Sequence, residues 1–353
     1  MIWTLGSKKM LIGLDIGTSQ IKAAQFARNG GEWQICASCV IPRNDGEGPL
    51  TADQVARVRY VLQRQGFRGS QVVVAVADRR LLTGIIDLPA KSSATPIAKI
   101  ARMELARVHK TSPGSFEMSC WEVPSPEPEG PTQAIAVALR HDLANELLDA
   151  LEDGGLNVKA LEPSTCALAR ACGHMLDFDP SATAALEIGW RSVTLEILHH
   201  NAIAYQRSLT DLGMETLFSE LRQAFQLTDE AIQHLLATVG LDSIDQVAEG
   251  EGQSLKELAK VASKHFDMMI QELLRSVSYF VERESLTEMP QLLLAGGGAR
   301  VRGLAEYFSC HAKLQAQVFA LRQKSLCEAQ NPSEAFDPSL AVAAGLAMFG
   351  QER

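Results

Sequence analysis

An aspartate lies inside an apolar run near the start of the chain, in the stretch LIGLDIGTSQIK at residues 11–22. A carboxylate in a buried strand is costly unless it is paired or hydrated, so Asp15 requires a partner such as a cation-bound water. A glycine two residues later lets the backbone approach a ligand closely. The hydroxyls, amides and lysine beyond it can bind phosphate oxygens. The candidate phosphate ligands of this first turn are Gly17, Thr18, Ser19 and Lys22.

A second stretch repeats this outline in LEIGWRSVTLEIL at residues 186–198. It again has an apolar run, an acidic residue, an isoleucine, a glycine, a short polar turn and a second apolar run. The candidate ligands of this second turn are Glu187, Gly189 and Ser192. We expect the two turns to face each other across a cleft, where they can hold a metal-bridged polyphosphate between them.

A third candidate element is the glycine turn AGGGAR, which follows a buried apolar run. Such a strand-to-helix turn can pass under the base and sugar of a nucleotide, while the helix N-terminus favours an anion. Its candidate nucleotide contacts are Gly296, Gly297, Gly298 and Arg300. A P-loop is excluded because Leu304 and Ala305 stand where Lys-Ser/Thr is required. A dinucleotide fingerprint is excluded because Val301 replaces its third glycine.

The composition is that of a folded protein without nucleic acid as a main partner. The chain has 353 residues, 46% of them hydrophobic, and a net charge of −9. An acidic chain without a basic stripe cannot neutralise a phosphate backbone. No run reaches the roughly 20 apolar residues of a spanning helix, and the start lacks a signal-peptide pattern. We therefore expect a cytoplasmic protein with no direct membrane insertion.

Strand-like and helical segments alternate along the chain in two similar halves, which predicts α/β layers. Thr51 and Gln54 form a capping box, and Gly66 ends the helix that begins there. The patterns predict strands at 11–16, 21–26, 33–41 and 132–140, and helices at 96–108, 142–151, 254–284 and from about 338.

Each turn alone is also compatible with ordinary loop structure, but their order and spacing resemble a known superfamily. They are similar to the phosphate-1, phosphate-2 and adenosine motifs of actin, Hsp70 and sugar kinases. Within that superfamily the chain resembles the FtsA/PilM branch, and most closely the family of the type IV pilus assembly protein PilM. The resemblance runs nearly end to end, through IGLDIGTSQIKAAQF, VVVAVADRRLLTGIIDLP, LNVKALEPSTCALARA, LLLAGGGARVRGLAEYF and FDPSLAVAAGLAMF.

The resemblance implies an α/β, two-lobed actin-like fold with an inserted subdomain of the FtsA/PilM type. The implied divisions are a first actin-like lobe at 1–69, an inserted subdomain at 70–160, a second lobe at 161–330 and a C-terminal helix returning to the first lobe at 331–353. It also implies ATP and Mg²⁺ as cofactors, with Asp15 as the metal ligand. Asp15 and Glu187 are the candidate catalytic carboxylates of what is at most a slow ATPase.

The same resemblance implies partners in a type IV pilus or type II secretion platform. A PilM-like protein sits on the cytoplasmic face of the inner membrane by holding the N-terminal tail of a PilN-like membrane protein. That tail's groove is expected between the first lobe and the insertion, near residues 70–160. Contacts with other platform proteins are expected, self-association is left open, and FtsA's membrane-binding tail has no counterpart before Arg353.

Several positions depart from the superfamily pattern and leave three functions open. Glu187 stands where aspartate is usual, and Trp190-Arg191 replace small turn residues. Ile232 and Leu235 stand where relatives carry a glutamate and a lysine that bind the adenosine. The hypotheses are an ATP-responsive scaffold, an interaction module that has lost its nucleotide, and a small-molecule kinase, for which no catalytic aspartate stands out.

Overall fold

The computed structural model describes ten stretches of the chain, which fall into two compact units. They are residues 10–29, 32–43, 48–88, 97–123, 132–175, 182–199, 202–241, 253–286, 291–320 and 336–350. The first unit contains the described residues up to Cys172 and those from Val342 onward, and the second contains those from Gly173 to Ala341. Within these stretches, no helix combines the length and apolarity needed to cross a bilayer.

The first unit is built on a five-stranded sheet with helices on both faces. The strands of this unit are β1 (Ile12–Ile16), β2 (Gln20–Asn29), β3 (Glu32–Pro42), β4 (Gln71–Val76), β5 (Leu81–Leu88), β6 (Phe116–Glu122), β7 (Thr132–Arg140) and β8 (Asn157–Pro163). Its helices are α1 (Ala52–Arg64), α2 (Ile97–Val108), α3 (His141–Asp153) and α4 (Ser164–Met175). The main sheet has the order β3-β2-β1-β4-β8, with β1, β2 and β3 antiparallel and β4 and β8 parallel to β1.

Alternation along β1 divides its side chains between the two faces of this sheet. Ile12 and Leu14 pack with buried residues of α1 and α3, among them Val58 and Leu151. The helix α1 begins at the predicted capping box, in which Thr51 and Gln54 cap each other. The prediction of this helix, and those of the strands around it, are confirmed.

A second, smaller sheet lies in the stretch that was predicted to be inserted. It has the order β5-β7-β6, with both pairs antiparallel. One face packs against α2 through Ile86, Leu105, Phe116 and Ala136. The predicted helix at 96–108 is confirmed as α2, apart from residue 96, which lies outside the described residues. The predicted subdomain boundaries themselves stay a prediction.

The second unit repeats the topology of the first. Its strands are β9 (Thr183–Ile188), β10 (Val193–His199), β11 (Ala202–Leu209), β12 (Gln291–Ala295) and β13 (Ala316–Val318). Its helices are α5 (Met214–Phe225), α6 (Asp229–Thr238), α7 (Gln253–Arg283) and α8 (Leu304–Ala312). The sheet order β11-β10-β9-β12-β13 corresponds strand for strand to the first sheet. The predicted long helix is confirmed as α7, whose apolar stripe, including Leu258, Met269 and Phe280, is buried in the core.

The last helix, α9 (Ala341–Ala347), packs so closely within the first unit that two glycines are required. A Cβ on Gly13 of β1 would overlap the backbone oxygen of Ala343, and a Cβ on Gly345 would overlap that of Ala167. Because backbone atoms on both sides are in contact, neither position can accommodate a methyl group by moving a flexible side chain.

We expect Gly13→Ala and Gly345→Ala each to lower the free energy of unfolding by about 3 kcal/mol, since overpacking must move α9 away from its neighbours. Urea denaturation followed by circular dichroism measures the change. Gly48→Ala is the matched control, because an added Cβ there meets nothing within 4 Å. It should change the unfolding free energy by less than about 0.5 kcal/mol. Equal effects of all three substitutions would contradict this packing argument.

Candidate functional site

The buried carboxylate of the first turn is paired with a lysine on the neighbouring strand. Asp15 on β1 lies directly opposite Lys22 on β2 in the antiparallel register. The Lys22 Nζ donates to Asp15 Oδ2 at 2.8 Å, and the two side chains are only 13% and 12% exposed. The partner that the sequence required for Asp15 is therefore supplied by the protein itself. Removing either member alone would leave an uncompensated, largely buried charge.

The first turn is tightened by backbone hydrogen bonds around Thr18 and Ser19. The Gly17 amide donates to the Gln20 carbonyl at 2.9 Å. A Cβ on Gly17 would lie 2.9 Å from that same carbonyl oxygen, so the turn itself requires glycine. The Arg43 amide donates to the Ser19 carbonyl at 2.8 Å, and Arg43 Nη1 donates to the Gly17 carbonyl at 3.2 Å. These contacts within the protein hold the turn in this conformation without a ligand.

The second turn has the same backbone geometry. The Gly189 amide donates to the Ser192 carbonyl at 3.0 Å, and a Cβ on Gly189 would lie 2.8 Å from that oxygen. The glycine of the second turn therefore corresponds to Gly17, and Ser192 corresponds to Gln20. Glu187 occupies the place of Asp15, since both lie two residues before their glycines.

This correspondence shows what the sequence comparison of the two turns missed. Ser192 follows the turn and does not form it, so Trp190 and Arg191 occupy the places of the hydroxyl residues of the first turn. Glu187 lies opposite Thr194 on β10, where the first hairpin has Lys22. The second turn thus repeats the acidic residue and the glycine but has neither the lysine nor the two hydroxyls.

The two large side chains of the second turn are held by their own unit. The Trp190 ring packs edge-on against Phe218, with 4.9 Å between centroids, and adjoins the hydrophobic core. Arg191 Nη1 lies 3.0 Å from Glu215 Oε2. Both contacts attach the turn to α5, so neither side chain is simply solvated.

The backbone of the second turn also contacts the beginning of α5. The Met214 amide donates to the Gly189 carbonyl at 3.0 Å, and the Glu215 amide donates to the Trp190 carbonyl at 2.8 Å. A Cβ on Gly213 would overlap the Trp190 carbonyl, which explains the glycine before the helix. The helix α5 therefore positions the second turn and satisfies two of its carbonyl groups.

The glycine corner packs on the end of β9, next to the second turn. Gly296 has φ +86°, and its Cβ would lie 2.5 Å from the Ile188 backbone oxygen. Gly298 faces the Ile188 side chain equally closely. A Cβ on Gly297, in contrast, would meet nothing within 4 Å. Packing against Ile188 requires glycine at positions 296 and 298. The space beside Gly297 is open.

Arg300 is engaged by the segment that leads into α9. Its Nε donates to Asp337 Oδ1 at 2.8 Å, its Nη2 contacts the same carboxylate, and Nη2 also donates to Ser339 Oγ at 3.0 Å. Burial alone would raise the pKa of Asp337, but the hydrogen bonds from Arg300 and Ser339 outweigh it and lower the pKa. Arg300 thus anchors this segment beneath the corner, and its contact with a nucleotide stays a prediction.

The helix α6 offers apolar side chains at the two positions that depart from the superfamily pattern. Ile232 is fully buried in the core of the second unit, and Leu235 packs against that core. Arg222, in the last turn of α5, is paired with Asp229 at 3.1 Å.

The structure brings the predicted site residues together in two groups, one in each unit. Asp15, Gly17, Thr18, Ser19 and Lys22 share the β1–β2 hairpin. The second group is Glu187, Gly189, Ser192, Gly296, Gly297, Gly298 and Arg300. The meeting of the two groups in one cleft stays a prediction. The first group fits a phosphate ligand, because it combines a fixed turn, two hydroxyls and a lysine.

The chain is similar to solved proteins across nearly its whole length. It is 20% identical to a chain of the "PilM-PilN type IV pilus biogenesis complex", covering 98% of this chain and 100% of that chain with a TM-score of 0.77. The ethanolamine utilization protein EutJ from Carboxydothermus hydrogenoformans is 14% identical over 98% and 91%, with a TM-score of 0.55. MreB 5 of Spiroplasma citri bound to AMPPNP is 14% identical over 98% and 97%, with a TM-score of 0.52.

These likenesses confirm the predicted α/β, two-lobed actin-like fold; at such identities they show the fold alone. A sequence model of one family, described as type IV pilus assembly protein PilM, matches residues 13–351. Since that match spans both units and nearly every described element, the chain belongs to the PilM family of type IV pilus assembly proteins.

Proposed function

We propose that this protein is an ATP-binding scaffold of the type IV pilus, or related type II secretion, assembly platform. It acts at the cytoplasmic face of the inner membrane, where it holds the N-terminal tail of a PilN-like membrane protein. The observation that carries nucleotide binding is the buried pair of Asp15 and Lys22 beside the glycine turn. The family and the solved PilM–PilN complex support the pilus role and the partner.

In this proposal the first hairpin binds the phosphate end of ATP. The backbone amides and hydroxyls of Thr18 and Ser19 donate hydrogen bonds to the phosphate oxygens, and Lys22 contributes charge that Asp15 holds in place. Asp15 would hold Mg²⁺, and the ion would supply positive charge that screens the phosphates. On the second unit, the proposed nucleotide contacts are Glu187 and Gly189 for the phosphates and the clear side of Gly297 for the base and sugar.

The second turn favours slow or absent hydrolysis over efficient catalysis. Glu187 is longer than aspartate by a methylene, so its carboxylate would hold a reacting water about an ångström from the position that an aspartate would give it, and such misplacement is costly to catalysis. The turn itself is held by α5 through two backbone hydrogen bonds. Nucleotide would then act by binding one arrangement of the two units more tightly than another.

The PilN-like tail is proposed to dock over a cavity in the first unit. This cavity, of about 40 Å³, is lined by residues of the predicted first lobe and of the predicted insertion. We expect the tail there because the groove between these two segments is the one that the sequence resemblance implies. Its apolar wall includes Leu50, Val76, Ala77 and Leu147. An extended peptide could pack an apolar side chain against this wall. Contacts with further platform proteins, and any self-association, belong to the same proposal.

A second candidate function is that of an interaction module that binds no nucleotide. It is favoured by α6, where Ile232 and Leu235 belong to the hydrophobic core and present no polar group to adenosine. The two candidates share the fold and the tail. They differ in whether ATP stabilises the protein.

We expect ATP with Mg²⁺ to raise the melting temperature by roughly 5 °C when ATP stands at about 100 times its Kd. Lys22→Ala should abolish this rise, because it removes the charge that faces the phosphates. Differential scanning fluorimetry measures both shifts. Lys22→Ala also leaves Asp15 without its lysine partner. The double variant Asp15→Asn, Lys22→Gln removes both charges, and with them the proposed metal ligand, and it should likewise show no ATP-induced rise.

The matched control for this experiment is Lys99→Ala, at an exposed lysine on α2. It should show the full ATP-induced rise. A Lys22→Ala protein that is stabilised by ATP as strongly as the unaltered chain would refute the role given to the first hairpin. An unaltered chain whose melting temperature stays constant in millimolar ATP and Mg²⁺ would contradict ATP binding and favour the second candidate function.

The tail site is tested by filling the cavity. We expect Ala77→Phe to weaken binding of a PilN-type N-terminal peptide at least tenfold, because the ring would occupy the space between β4 and α3. Fluorescence polarisation of the labelled peptide measures the affinity. Ala56→Phe, on the exposed side of α1, is the control and should bind normally. Equal affinities of the two variants would place the tail elsewhere.

A further inference from the structure

The cavity between the first lobe and the insertion carries a concentration of positive charge. Three arginines, Arg43, Arg79 and Arg80, line it together with the apolar wall. Among the described residues that line it, none is acidic. In a chain of net charge −9, three arginines with no carboxylate among the described lining residues are a local reversal of the overall charge. Such a site attracts an anion.

This cavity is separate from the Asp15–Lys22 pair. Ile16, which lines the cavity, packs with the core under α1 and α3, as do Ile12 and Leu14. Because side chains alternate along a strand, Asp15 points to the opposite face of the sheet. An anion in the cavity would therefore not be the nucleotide phosphate bound at Lys22.

The three arginines differ in how they are held. Arg43 is fixed by hydrogen bonds from its guanidinium to the carbonyls of Gly17 and Gly48. Arg80 is half-buried, and the part of the chain that the structure describes gives its guanidinium no ion pair or hydrogen bond. Asp78, which precedes Arg79 in the sequence, is not among the residues that line the cavity. Its carboxylate lies 3.5 Å from Ser164 Oγ. Arg80 is thus a partly desolvated cation available to a ligand.

The size of the site limits the group that can enter it. A cavity needs about 10–15 Å³ for one water, so about 40 Å³ holds a group equivalent to roughly three waters. A carboxylate has that size. The planar fork of an arginine matches a carboxylate with two parallel hydrogen bonds. The apolar wall around Leu50 and Leu147 suits the aliphatic stem or apolar neighbours of an acidic residue.

We propose that this cavity binds the carboxylate of an acidic residue carried on a peptide segment, with Arg80 as its principal ligand and Arg43 and Arg79 completing the site. The inference deepens the proposed function and rests on it only for the identity of the segment, which would be the tail of the PilN-like partner. It predicts that this tail contains an acidic residue flanked by apolar residues.

The test uses the full-length protein labelled with ¹⁵N at arginine Nε. Sodium acetate replaces sodium chloride at constant ionic strength, and the Arg43 Nε–H resonance, identified with Arg43→Lys, is followed. We expect the chemical shift to saturate as acetate is added. The acetate affinity should be at least tenfold weaker in Arg80→Gln. Arg57→Gln, at an exposed arginine on α1, is the control and should retain the acetate affinity of the unaltered chain. Melting temperatures confirm that both variants are folded.

Several outcomes overturn the inference. A shift that rises linearly with acetate, or an equal affinity in Arg80→Gln and the unaltered chain, removes the site. If inorganic phosphate binds with higher affinity than acetate, as measured on the same Arg43 resonance, the carboxylate assignment is wrong.

A second measurement separates this inference from the proposed function. A PilN-type tail peptide that binds Arg80→Gln tenfold more weakly supports the inference. Equal binding to both proteins overturns it and leaves the proposed partner intact. Absence of peptide binding to either protein overturns the partner, and the acetate titration alone then decides the cavity's chemistry.

Discussion

The contact between Asp15 and Lys22 is the constraint on which the first unit depends. Both side chains are largely buried, so the pair is stable only if the two strands keep the register that places one opposite the other. That register is set by the Gly17 turn, which only glycine permits. The same strand carries Gly13, against which α9 packs without space for a methyl group. Charge pairing, turn geometry and backbone packing therefore all require β1 in one position.

The second unit has the same scaffold and a different chemistry. Its turn retains the acidic residue and the glycine, but Thr194 replaces the lysine, and a tryptophan and an arginine replace the hydroxyls. These substitutions are accommodated because α5 contacts the turn through its backbone and through Phe218 and Glu215. One topology thus supports a charged turn in one half and a packed turn in the other. Function in such a fold depends on the turn residues and not on the topology.

Local features of this fold could be predicted from the sequence because they depend on neighbouring residues. The capping box at Thr51, the buried stripe of α7 and the two acidic hairpins all follow from short-range spacing. Contacts between distant residues could not be predicted in this way. The pairing of Arg300 with Asp337 joins residues 37 apart, and it depends on where the C-terminal segment crosses the glycine corner.

The candidate site shows the same division. The residues of the first turn were identified from their types and order, but the role of Lys22 as the partner of Asp15 depends on strand register. The place of Ser192 after its turn likewise depends on a hydrogen bond, because the sequence spacing alone does not distinguish it from a turn residue. Ile232 and Leu235 stood out in the sequence as missing polar contacts, and the structure gives the reason for their apolar character, which is core packing.

Arg43 connects the two faces of the first sheet through a single side chain. Arg43 lines the cavity on one face of the sheet, and its guanidinium donates to the Gly17 carbonyl of the first turn. The side chains of Asp15 and Lys22, next to that turn, lie on the opposite face of the sheet. A group that draws this guanidinium further into the cavity would loosen its hold on Gly17, and a group that tightens the turn would restrain the guanidinium. Thermodynamic linkage makes such an influence equal in both directions. Two ligands on opposite faces of one sheet, with no contact between them, would thereby change each other's affinity.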